Sequence, residues 1–131
     1  MQRANLRGDH WYNRQRGGDE DQAIAALLHD ALEDQPDGGR TRATILKDFG
    51  AGVLEIVVAC SDNLGDGPKL AWRERKEAYL EHLVHASPRV RLVSACDKLH
   101  NARAIVSDYG VLGEGIWQRF TGKKRGVLWY Y

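Results

Sequence analysis

The sequence predicts an all-helical domain, an α-bundle of five or six helices. Three observations predict it: successive segments carry apolar residues at helical spacing, short glycine- and proline-marked turns separate them, and strand-type alternation is nearly absent. No repeat, coiled coil or low-complexity tract interrupts the pattern.

The elements follow in chain order. Residues 1–18 have four arginines, three glycines and no apolar period, so they read as a weak, atypical N-terminal segment ahead of a helical core at 19–131. DEDQAIAALLHDALED then reads as a helix, with Asp19 or Asp21 as cap and acids at the positive end of the dipole. It is expected to end before Pro36, with QPDGGR as a turn. Thr41 or Thr44 opens a short helix to Phe49, closed by Gly50, and another runs from Gly52 to Cys60 despite its valines. SDNLGDGPK is a loop. WRERKEAYLEHLVHAS is amphipathic, Pro88 sits in the first turn of the longest helix (roughly 89–108), and a shorter helix near 113–120 leads into GKKRGVLWYY.

Length and composition narrow the function. The chain has 131 residues, one domain's worth, with 43% hydrophobic and 28% charged residues, which excludes disorder as the whole story. Lys plus Arg number 19 against 18 acids, so bulk positive charge does not point to nucleic acid. No membrane span or signal-peptide core is visible. Cys60 and Cys96 lack zinc-finger spacing and read as buried free thiols of a reducing compartment, hence a cytoplasmic protein. The expected partner is a small molecule, neither nucleic acid nor membrane.

The chemistry-bearing residues lie on two helices. At roughly 100° per residue, Ile24, Leu28, Ala31 and Leu32 share one side of the first helix, with His29 over Glu33 and Asp30 over Asp34 on the other. Three acids and a histidine on an interior helix call for something positive, and an imidazole nitrogen with carboxylate oxygens suits manganese, iron or zinc. The plainer reading is that these acids simply face water. On the long helix, Val90, Val93, Ser94, Asp97, Asn101 and Ala104 share a face, opposite Leu92, Ala95, Leu99 and Val106. A helix apolar on both sides lies between layers, which buries Asp97 and demands a partner for it. Lys98 and Arg103 are expected to point elsewhere, leaving a metal, an arginine from another helix, or a proton on the carboxyl itself. Asn101, one turn on, is placed to bond a ligand.

AALLHDALED, TILKDFGAGVLEIVVACSD, WRERKEAYLEHL and LVSACDKLHNARAI, in that order, resemble the HD-domain metal phosphohydrolases, in particular the small RelA/SpoT-type alarmone hydrolases. The resemblance covers roughly residues 19–131. It implies that His29, Asp30 and Asp97 ligate a metal, manganese in the family, and that Glu33 and Asp34 position or activate the attacking water. It also implies that Asn101 touches a substrate ribose, with Lys76, Arg73 or Arg75 facing phosphate. The implied reaction is hydrolysis of a guanosine 3′,5′-bis(diphosphate)-like pyrophosphate ester.

The resemblance breaks at the N-terminus. The family has a further histidine upstream, on a helix opening with something like HPLAVA, and the corresponding position here is Asn5; the nearest histidine is His10. Either the N-terminus is divergent, or His10 substitutes, or the metal shell is incomplete. The last makes the chain an inactive ligand-binding or interaction module. Apolar surface left by a missing helix would be covered by Trp11 and Tyr12 or by a second copy in a homo-oligomer. Trp129 and Tyr130 are expected to pack on the core rather than stack on bases, and His82 and His85 to be surface residues.

Overall fold

A computed structural model describes residues 17–33, 38–62 and 70–131, and the described part is all-helical. Helix α1 spans Glu20–Leu28. The Asp19 side chain accepts from Gln22 N at 2.9 Å, and the Gln22 side chain accepts from Asp19 N at 2.8 Å, a reciprocal capping box. The helix is shorter than its sequence predicts. From His29 to Glu33 the chain makes tight turns, with Ala31 N bonded to Leu28 O and Glu33 N to Asp30 O. The His29 ring takes the Ala26 carbonyl at 2.8 Å, the acceptor the next helical amide would have used. His29 and Glu33 are therefore not stacked on one helical face as expected.

Helix α2 (Gly38–Phe49) ends at Gly50, whose φ of 90° suits glycine and whose amide bonds Leu46 O at 3.0 Å. Helix α3 (Ala51–Ala59) follows directly, with Val53 and Val57 buried by tertiary packing rather than drawn into a strand. Helix α1 packs on α3 and α5, and α2 packs on α3. Ala25, Ala26, Val53, Ile56, Val57 and Val93 form the buried centre. The approach of α1 and α3 is close at Gly52, where a Cβ would lie 2.6 Å from an Asp21 carboxylate oxygen.

Helix α4 (Trp72–His85) joins α5 (Pro88–Leu112), which opens with Ser87 as cap and Pro88 in its first turn. The Tyr79 hydroxyl bonds Ser94 Oγ at 2.9 Å and ties α4 to α5 inside the protein. Helix α5 buries one face, through Val90, Val93, Ser94, Cys96 and Asp97. On the opposite face Leu92 and Leu99 are half-buried, whereas Ala95 is exposed and Val106 retains 73% of its accessibility. The expected second layer thus covers this face only in part, while the expected burial of Asp97 is met. The segment predicted as a helix at 113–120 is a 3-10 turn, Gly113–Arg119, started by Gly113 at φ 56°.

Helix α6 (Lys123–Tyr130) returns over α4. Trp72 makes edge-on contacts with Trp129 and Tyr130, at centroid distances of 6.3 and 6.1 Å, and Arg73 lies 3.3 Å above the Trp129 ring. Tyr130 is thus buried as expected, whereas Trp129 packs against Trp72 and Arg73 and stays partly exposed. Cys60 and Cys96 are buried and unbridged. Among the described residues no helix is long and apolar enough to cross a membrane.

Candidate functional site

Three side chains named from the sequence converge where α1 ends against the middle of α5. His29 Nδ1 donates to the Ala26 carbonyl, which fixes the tautomer and turns Nε2 inward. Nε2 lies 3.1 Å from Asp30 Oδ1 and 3.3 Å from Asp97 Oδ1. Burial opposes a charge on His29, but the two carboxylates overcome it and raise the imidazole to about 11. Burial likewise opposes ionisation of Asp97, and His29 with Lys98 holds it well below the usual carboxylate range. The three groups thus carry an imidazolium between two carboxylates.

Asp97 divides its oxygens. Oδ1 faces His29 and accepts from Asn101 Nδ2 at 2.9 Å, while Oδ2 is bonded to Lys98 Nζ. This corrects the expectation that Lys98 points elsewhere. Adjacent residues diverge on a helix, but a lysine stem is long enough to fold back over its neighbour. Asn101 also bonds the Tyr131 hydroxyl, so the last residue reaches the same site.

Glu33 stands beside this group in a different state. Burial, and the negative charges of Asp30 and Asp62, push its carboxyl up to about 7, near half ionisation at neutral pH. Asp62 N reaches Glu33 Oε1 at 3.5 Å. The Asp62 carboxylate in turn binds Lys76 at 2.6 Å and Arg75 at 3.4 Å, and these cations hold it low despite its burial. Lys76, expected to face phosphate, is ion-paired with Asp62, which takes one of its three N–H donors. Arg73 is taken up by Glu77 and Trp129, away from that pair. Asp34, Asn5, His10, Trp11 and Tyr12 lie outside the described residues.

The donor set suits a divalent cation in kind: one imidazole nitrogen with its tautomer fixed from behind, and two carboxylates. Among the described residues no group of three His, Cys, Asp or Glu is already arranged to hold an ion, and the donors are closed on one another by ion pairs. A cation would replace the proton on Nε2. His82 and His85 are exposed on α4 and belong to no such group. Sequence reasoning missed Asp62, Lys98 and Tyr131. Only the run of basic residues on α4 hinted that an acid must lie opposite.

Comparison with known proteins fits this layout. The chain is 36% identical over 95 residues to a guanosine-3′,5′-bis(diphosphate) 3′-pyrophosphohydrolase of Haemophilus influenzae, covering 68% of this chain and 13% of that one. It is 39% identical over 89 residues to the MESH1 enzyme of the same name from Xenopus tropicalis, covering 66% and 46%. The chain thus spans less than half the length of these curated relatives. The crystal structure of lmo0812 from Listeria monocytogenes superposes with a TM-score of 0.82 at 27% identity, over 96% of this chain and 77% of that one. Residues 13–127 match the HD domain, and the chain belongs to the HD-domain family.

Proposed function

We propose that this chain is a metal-dependent pyrophosphohydrolase that removes the 3′-pyrophosphate from a guanosine 3′,5′-bis(diphosphate)-like nucleotide. His29, Asp30 and Asp97 would hold the metal, manganese by the resemblance. When bound, a divalent cation supplies Lewis-acid polarisation of a phosphoryl oxygen and lowers the cost of ionising water.

The remaining work falls to the protein's own groups. Glu33, with its carboxyl near 7, accepts a proton from the attacking water as the water oxygen joins the phosphorus on the 3′ oxygen. The bond from that phosphorus to the 3′ oxygen breaks, and Glu33 returns the proton to the leaving oxygen. The products are pyrophosphate and a nucleotide with a free 3′-hydroxyl. Asp34 shares the handling of water. Asn101 orients the ribose, and Lys76 turns a further N–H donor to the pyrophosphate.

The observation that carries this reading is the meeting of His29 Nε2 with Asp30 and Asp97 beside a carboxyl poised near neutrality. Similarity to two enzymes named for this reaction supports the substrate class. The test is metal content after equilibration with manganese and desalting, with pyrophosphate release from guanosine 3′,5′-bis(diphosphate). About one ion per chain and a release rate cut at least 100-fold by Glu33→Gln are expected. No retained ion, with release no faster than from His29→Ala, would refute it and leave a non-enzymatic HD module.

A further inference from the structure

Lys98 is a cation that none of the proposed chemistry uses, yet it is one of the most constrained side chains near the site. Its ammonium is bonded to Asp97 Oδ2 and to the Tyr130 hydroxyl. It lies 5.3 Å from the centroid of the Tyr79 ring and 5.5 Å from that of Tyr130. Two tyrosines, one of them bonding through its hydroxyl, thus cradle it, and a single carboxylate oxygen completes its surroundings.

That cradle is anchored from outside the site. Tyr79 is fixed by its bond to Ser94. Tyr130 is held by Trp72, which in turn packs directly on Gly122 and Gly126. Helix α6 therefore reaches the candidate metal ligands through its own Tyr130, then Lys98, Asp97 and His29, while Trp72 of α4 holds Tyr130 in place.

We propose that Lys98, cradled by Tyr79 and Tyr130, is a positioning residue that occupies Asp97 Oδ2 and so presents Oδ1 alone to His29 and to the metal. The inference rests on the metal site proposed above. The division of oxygens is its physical content. A carboxylate free at both oxygens can rotate, or chelate with both; one pinned at Oδ2 by Lys98, with Asn101 on Oδ1, has a single orientation. Partners that orient a metal-binding carboxylate in this way affect metal affinity about 10- to 100-fold.

The test uses the full chain as K98M, K98R and Y130F, each first checked for parental helicity by circular dichroism. Manganese binding is followed by the electron paramagnetic resonance of the free ion. K98M is expected to weaken binding at least about tenfold, K98R to recover most of the loss, and Y130F to fall between. Removing the ammonium also removes a positive charge near the ion. Binding by K98M as tight as the parent, or tighter, means that Lys98 acts by charge alone and overturns the proposal. A crystal structure of metal-free K98M supplies a readout independent of the metal. The Asp97 oxygen should turn out of hydrogen-bond reach of His29 Nε2, and an unchanged 3.3 Å contact overturns the proposal whatever the affinities. Failure of the parent to take up manganese sinks the metal reading, and the crystal geometry then decides the role of Lys98.

Discussion

Glu33→Gln should make the metal-free protein more stable while removing the proposed hydrolysis. The Glu33 carboxyl is raised from 4.5 to about 7, first by burial and then by Asp30 and Asp62. Between those two pH values the unfolded chain has already lost this proton and the folded protein still holds it. Stability therefore falls as pH rises through the window, and the loss is complete above about 7. A shift of this size corresponds to about 3 kcal/mol, an upper figure because water reaches part of the side chain. Glutamine keeps the shape, and its carbonyl oxygen can still face the Asp62 amide, but it never ionises. The variant should match the parent near pH 4.5 and exceed it by about 2–3 kcal/mol near pH 8. Urea unfolding of both proteins, metal-free, at half-unit steps from pH 4.5 to 8.5 measures the difference directly, since other titrating groups largely cancel. Parallel stability curves across that range would show that Glu33 ionises normally, and the reasoning about a poised base would fail with them.

Two further outcomes follow from the geometry. Manganese uptake should release close to one proton from His29, because an imidazole raised to about 11 is fully protonated at pH 7. Affinity should then rise about tenfold per pH unit through the neutral range, and calorimetry in buffers of different ionisation enthalpy reads the proton count; a count of zero contradicts the assigned state. Gly122→Ala places a Cβ 2.6 Å from the Trp72 ring, so it should destabilise the protein by about 1–3 kcal/mol in thermal or urea unfolding. Parental stability would mean that Trp72 moves aside freely.

Local chemistry in the sequence was enough for much of the fold. Asp19 with Gln22, Ser87 with Pro88, and Gly50 mark helix ends through bonds made within a turn, so they are legible without the rest of the chain. The same holds for the choice of helices over strands, since periodicity is a property of neighbours. His29, Asp30 and Asp97 stood out because charged groups interrupt apolar segments, and burial of the first and last bears out that signal. What tertiary structure decided is how those groups are partnered. Helix α1 stops at Leu28 because the His29 ring takes a backbone carbonyl while its other nitrogen meets Asp97, sixty-eight positions away in the chain. Lys98 folds back because Tyr130 and Tyr79 arrive over it from two other helices. Asp62 binds Lys76 only once α4 lies across the end of α3. The physical reason is range: caps and periodicity act over one turn, whereas a carboxylate's state depends on every charge the fold brings within a few ångströms.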